Sequence, residues 1–235
     1  MKRAPVGRLV IGLHDPGMTP ILRAGLGGLA ATLEAIPEGD CLPGWWCVEA
    51  HRITLGWEAG EAAKFLGRLF AASFRLDPAH GVIDLPGTYG QLPPDLPVWV
   101  ALQAALRGTF LQFGPHAKKR DKPVVHTMVV DDAEIPVEVQ AYKTYVHMEA
   151  WKGIADVLDG VGQRLAGRLH SWAHPGAIQG HAELPATTME YSPGEAVAAC
   201  FAIVGCVSFR CPRGGALVVP DPTDLRHFAR IRQRI

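Results

Sequence analysis

Lys118, Lys119, Arg120 and Lys122 place four cations within five positions, between the apolar stretches Thr109–Phe113 and Val124–Val130. Side chains of this type neutralise phosphates and release counterions, which gives sequence-independent, salt-dependent affinity for nucleic acid. The flanking residues suit the same chemistry. Gln112 could hydrogen-bond a base edge or a phosphate, and Phe113 and His116 could stack on a base. Arg107 and Lys143 are weaker candidates for the same surface. A second reading is equally open on charge alone: cations at the C-terminal end of a helix favour its dipole and need no partner but water.

The chain of 235 residues is neutral overall, with 23 Lys and Arg against 23 Asp and Glu, so net charge points to no partner. The distribution does. Arg107–Lys122 holds five bases against Asp121 alone, and Glu34–Glu61 holds six acids against Arg52 alone. A third cluster, Arg226, Arg230, Arg232 and Arg234, follows Asp224. Segregation of this kind can build a basic face on a neutral protein.

Other chemistries lack their signatures. There is no phosphate-binding G-x-x-x-x-G-K-[ST], no G-x-S-x-G nucleophile turn and no H-E-x-x-H. Gly25, Gly27 and Gly28 sit inside a helical pattern, so they are no dinucleotide fingerprint. Asp131-Asp132 reads as a polar hairpin tip rather than a metal site. The five cysteines, Cys41, Cys47, Cys200, Cys206 and Cys211, fit no disulfide framework and suit reduced thiols in a cytoplasm. Cys206 and Cys211 have a spacing that zinc tolerates, and His170, His174 and His181 could gather around a metal. These carry the alternative reading, a metal-dependent hydrolase. The main expectation is no metal and no cofactor. No signal peptide is recognisable, and no apolar run approaches the ~18 residues that span a bilayer.

The elements that must position the basic cluster follow from pattern. Leu9–Leu13 reads as a buried strand. Thr19 and Pro20 open a helix whose face is Ile21, Leu22, Leu26, Leu29, Leu33 and Ile36, with its glycines admitting another backbone. Trp46–Leu55 reads as one strand and Trp57–Leu76 as a helix; Trp45, Trp46 and Trp57 are read as core rather than a stacking platform. "GVIDL" is a short strand. Asp95 caps a helix through Phe113 with Trp99, Leu102, Leu106 and Phe110 inward. Two β-rich runs, "KPVVHTMVV" and "EIPVEVQAYKTYVHM", form a hairpin around "DDA". Helices follow near Trp151–Leu158 and Val161–Trp172. Ser192, Pro193 and Glu195 make a capping box for a further helix, "GALVV" is a last strand, and an Arg-rich amphipathic helix starts at Asp224. Strands and helices mix without strict alternation. The predicted class is α+β, with mixed sheet and packed helices.

Three blocks in order, "HDPGMTPILRAGLGGLAATL", "LQAALRGTFLQFGPHAKKR" and "WAHPGAIQGHAELPATTMEYSPGEAVAACFAIVGCVSF", resemble the N-terminal signature of the large subunit of type I CRISPR interference complexes (Cascade), in the branch first known from myxobacteria. The resemblance spans roughly residues 10 to 210. It departs from the family at Trp172-Ala173 and Gln179-Gly180, so any contact made there by a family arginine is not carried over. It implies that residues 1–235 form the N-terminal domain of a longer subunit, non-catalytic and cytoplasmic. It also implies a role in recognising the protospacer-adjacent motif in duplex DNA and helping to start strand separation. The implied partners are guide RNA, target double-stranded DNA, the backbone and 5′-handle-binding subunits, and a recruited nuclease-helicase or other effector. A purely structural assembly subunit is the remaining alternative. Within the second block, Lys118, Lys119, Arg120 and Lys122 become the expected phosphate contacts, with Gln112 and His116 nearer to bases.

Overall fold

The computed structural model describes residues 6–37, 42–77, 79–90, 92–112, 117–130, 132–159, 165–166 and 190–234. Its first sheet has three antiparallel-paired strands in the order β1 (Val6–Gly12), β3 (Arg52–Glu58), β2 (Gly44–Val48). Helix α1 (Pro20–Ala35) connects β1 to β2, and β3 lies between them, a split β-α-β arrangement. The register explains the faces. Gly7, Trp57 and Gly44 lie abreast, as do Leu9, Leu55 and Trp46, and Ile11, Ile53 and Val48. These rows face the core, because successive side chains on a strand alternate sides. Trp57 is 5% exposed and stacks on Phe65 of α2 (Ala62–Ser73), ring centroids 5.6 Å apart. Trp46 packs against the core at its edge, whereas Trp45 lies on the outer face, 47% exposed, with its indole over Gly56. Two of the three tryptophans are therefore core and one is not.

Several boundaries differ from the sequence expectation. Trp46–Leu55 is two strands with a reversal at 49–51, where the Glu49 amide bonds the Arg52 carbonyl. The expected helix start at Trp57 is still strand, since Trp57 pairs across to Gly7 and Gly44; Gly60, at φ 79°, makes the turn and α2 begins at Ala62.

The centre of the core is a pair of helices, α1 and α5 (Pro193–Gly205), each buried nearly all round. Glycine is what lets them touch. A Cβ on Gly25 would sit 1.9 Å from the Ala198 carbonyl oxygen, and one on Gly28 would sit 2.3 Å from that of Phe201. The capping box is present in full: the Glu195 amide donates to Ser192 Oγ at 3.3 Å, and the Ser192 amide donates to Glu195 Oε2 at 2.6 Å. Thr19 and Asp95, by contrast, make no side-chain cap; both stand at the N-cap position ahead of a helix with Pro in its first turn.

Around this centre the other described strands pair as antiparallel ribbons: β4 (Arg75–Leu76) with β5 (Ile83–Asp84), β6 (Ala117–Lys119) with β9 (Tyr142–Tyr145), β7 (Val124–Val130) with β8 (Ala133–Val139), β10 (Leu165–Ala166) with β11 (Glu190–Tyr191), and β12 (Val207–Cys211) with β13 (Gly214–Val218). Helix α3 (Leu96–Gly108) packs on the β12–β13 ribbon, and α4 (Trp151–Asp159) packs on α2. Leu106 and Phe110 are buried as expected, Trp99 and Leu102 only partly, because the first half of α3 stands clear of the core. The last helix, α6 (Leu225–Arg232), carries Arg226, Arg230 and Arg232. Its Phe228 ring meets Gly27, and Arg232, 5% exposed, donates to the Val204 and Cys206 carbonyls at 2.8 and 3.3 Å, closing the C-terminal end of α5. Burial pulls the Arg232 guanidinium down to about 10. The fold class is α+β, as the pattern predicts. The expected helix at Val161–Trp172 lies almost wholly outside the described residues.

Candidate nucleic-acid interface

The basic segment is anchored by its own backbone. The sequence suggests a loop running from a helix end near Phe113 to a strand at Val124. The structure ends α3 at Gly108 and makes Ala117–Lys119 a strand, paired to β9, with the Arg120 amide donating to the Ala141 carbonyl at 2.8 Å. The signal for this pairing lies in "YKTY". Tyr142 and Tyr145 are both 1% exposed although three positions apart. Strict alternation would put them on opposite faces, so the ladder must slip, and the register shifts between Lys118 and Lys119, leaving Lys143 as the extra residue of a bulge. The slip turns Lys118, Lys119 and Lys143 outward while both tyrosines stay in the core.

Six of the eight candidate residues fall on or beside this ribbon. Lys118, Lys119 and Lys122 are exposed and Arg120 is half-buried; none of the four forms an ion pair among the described residues. Lys143 differs, reaching both carboxylate oxygens of Asp121 at 3.3 Å. Arg107 is exposed on the last turn of α3 and within electrostatic reach of Tyr142, which places it at the flank. Burial raises the Tyr142 phenol, with Arg107 opposing. Gln112 is exposed, but its amide donates to the Gly108 carbonyl at 2.8 Å, so it closes the end of α3. His116 and Phe113 lie outside the described residues, as do His170, His174 and His181.

Two glutamines that sequence reasoning passed over hold the segment in place. Gln103 is 2% exposed; its Oε1 accepts the Ile83 amide at 2.8 Å and its Nε2 donates to the Gln140 carbonyl at 2.7 Å. Gln140 Nε2 in turn donates to the Arg120 and Ala141 carbonyls, each at 3.1 Å. The relay ties α3, β5 and the ribbon together at Arg120. A polar residue on the inward face of α3 was the available signal.

Beside the ribbon stands the β7–β8 hairpin, turning at Asp132 (φ 62°) as the "DDA" tip requires. One side shows Val125 and Val129, 58% and 65% exposed, across from Glu138 and Glu134. His126 roots the other side, its Nε2 3.0 Å from the His80 carbonyl. The arrangement pairs a cationic strand, suited to a phosphate backbone, with a projecting hairpin that carries apolar side chains. Among the described residues no group of three or more His, Cys, Asp or Glu could hold a metal ion, and the candidate ligands His170, His174 and His181 lie outside them. Cys200 and Cys206 are buried thiols, Cys206 pushed up to about 12 by burial, which suits packing rather than nucleophilic attack. Among the described residues no helix is long and apolar enough to cross a membrane.

A curated protein from Myxococcus xanthus (strain DK1622), "CRISPR-associated protein Cas8a1/Csx13", is 42% identical to this chain over 246 residues. The match covers 98% of this chain and 42% of the relative, so the chain spans about two fifths of that protein's length. The family model described as "DevT N-terminal domain" matches residues 10–200, a region that includes α1, the first part of α5 and the basic ribbon. On that match the chain belongs to the DevT N-terminal domain family.

Proposed function

We propose that this chain is a non-catalytic part of the large subunit of a type I CRISPR Cascade, acting in the cytoplasm with guide RNA and the other subunits. In this reading residues 1–235 form the N-terminal domain, which recognises the protospacer-adjacent motif in duplex DNA and helps to start strand separation before an effector is recruited. The observation that carries it is the basic segment at β6: Lys118 and Lys119 stand outward on paired backbone, with Arg120 half-buried and Lys122 exposed just beyond, and none of the four has a carboxylate partner among the described residues. Sequence is read by guide pairing in such systems, which leaves the protein a short duplex motif and the backbone. The hairpin supplies the second half of the task, since apolar side chains wedged at a base step unstack it.

The test replaces Lys118, Lys119 and Arg120 with Ala in the assembled complex and measures binding to motif-containing duplex over a salt series. With three fewer phosphates neutralised, the slope of log K against log salt falls by about 2.7. An unchanged affinity and slope would sink the proposal. The outer face of the β12–β13 ribbon, where Phe209 and Val218 are 48% and 52% exposed, favours a protein contact as well. If the chain were an assembly subunit alone, crosslinking within the complex would capture protein neighbours and no DNA.

A further inference from the structure

A cleft of about 930 Å³ opens between α1, α2 and the turn at Pro86–Thr88, its walls including Glu34, Ile36, Arg68, Arg75, Tyr89 and Pro93. None of these residues belongs to the β6 ribbon. The cleft's polar groups are arranged rather than scattered. Arg75 Nε meets Asp84 Oδ2 at 2.8 Å, its Nη2 donates to the Tyr89 hydroxyl at 3.4 Å, and that hydroxyl donates to Asp84 Oδ1. Asp84 is largely buried, its side chain 12% exposed, while the Arg75 side chain is 47% exposed. One edge of the guanidinium is thereby fixed, and Nη1 keeps no protein partner among the described residues. A guanidinium locked on one edge and free on the other is preorganised for an oxyanion. Arg68, exposed on α2, forms no ion pair among the described residues.

The opposite wall continues the charge. Glu34 lies within electrostatic reach of Arg230 and Arg226 on α6, and partial burial raises its carboxyl against their pull. Glu34 thus brings the two α6 arginines within reach of a cleft whose own walls carry Arg68 and Arg75. Ile36, Pro93 and Tyr89 add an apolar surface next to the cations. A single small anion would use little of this volume. A phosphate joined to a sugar and a base would use the cations and the apolar wall together. The base must be unstacked to reach that wall, which favours a single strand over a duplex. The Tyr145 hydroxyl of β9, buried in the core, donates to the Arg75 carbonyl at 3.4 Å, so β9 packs against the strand that carries Arg75.

We propose that this cleft is a second nucleic-acid site, binding a nucleotide unit of a single strand with its phosphate on Arg75 and Arg68 and its base against Tyr89, Ile36 and Pro93. The site stands on its own groups and does not need the duplex reading of the ribbon.

The experiment uses the full chain, with fluorescein-labelled dT and rU dodecamers as probes over a salt series. Arg68→Ala with Arg230→Ala, both at exposed positions, weakens binding and lowers the salt slope by about 0.7 for each phosphate no longer neutralised. Glu34→Gln, which removes the opposing charge, tightens binding several-fold. Arg75 is left intact because its removal would strand the buried Asp84. Repeating the titration with Lys118, Lys119 and Arg120 changed to Ala separates the two sites: retained dodecamer binding supports the cleft even if duplex binding fails. The tighter of the two probes names the kind of strand. Dodecamer binding indifferent to Arg68, Arg230 and Glu34 overturns the proposal, and so does full displacement of the dodecamer by inorganic phosphate at the concentration at which AMP displaces it.

Discussion

At the residue scale, the candidate interface divides into side chains that meet solvent and side chains that hold them there. Asp121 is the one acid among the basic run, and it occupies Lys143. Both side chains are well exposed, so the pair itself is worth little to stability. Its effect should fall on binding: Asp121→Asn removes a charge that repels phosphate and releases a lysine, so duplex affinity rises and the salt slope steepens by up to about one unit. A binding curve superimposable on the wild type would remove Lys143 from the interface. Gln103 is the converse case, touching nothing that binds. Gln103→Leu leaves the Ile83 amide and the Gln140 carbonyl without their partner in a buried place. Each such group costs about 1–3 kcal/mol, so the urea midpoint should drop by an amount equivalent to roughly 2–6 kcal/mol. The salt slope of the variant that still folds should stay put, because the number of phosphates neutralised is unchanged.

At the element scale, the helices show why glycine was placed where helix propensity disfavours it. Replacing Gly28 with Ala gains about 1 kcal/mol of helix propensity. It also puts a methyl 2.3 Å from the Phe201 oxygen and 2.5 Å from the Gly205 nitrogen, which are backbone atoms of α5 and cannot swing away. Overpacking against backbone costs about 1–3 kcal/mol and sometimes more, so a net loss of up to about 2 kcal/mol is expected. Gly27 is a graded comparison on the same helix. Its methyl would press on the Phe228 ring at 2.5 Å, a side chain at the surface-facing α6 that can rotate. Gly27→Ala should therefore be milder than Gly28→Ala in the same denaturation series, and the reverse order would refute this account of the α1–α5 contact. The same scale explains the misread boundaries. The stretch Trp46–Leu55 has continuous strand character, and nothing local marks the reversal at 49–51, which is fixed by pairing with β1 on the other side of β3.

At the scale of the whole molecule, the core holds its thiols and phenols in neutral form. Burial raises the thiols of Cys200 and Cys206, the latter to about 12, and the phenols of Tyr89, Tyr142, Tyr145 and Tyr191, the last also to about 12. In the unfolded chain these groups lose their protons from about pH 9 to 10. The folded state then binds more protons than the unfolded one, so stability is fully present below about pH 9 and is lost as pH rises toward 12. Thermal melts should be nearly flat from pH 7 to 8.5 and fall steadily above it. A melting temperature that held to pH 11 would show that these groups ionise without leaving the core.

The sequence by itself determined the α+β class, the capping box at Ser192, the hairpin that turns at Asp132, the glycine contact surface of α1 and the clustering of Lys118, Lys119, Arg120 and Lys122. Each of these is written in local spacing, where periodicity, turn chemistry and charge act over a few residues. Only the tertiary structure decided that the basic segment is a paired strand, that Lys143 shares its ribbon, and that Arg68, Arg75 and Glu34 line one cleft. Those outcomes depend on partners 20 to 200 residues away. Local spacing carries no record of which distant backbone will supply the hydrogen bonds that a buried amide must find.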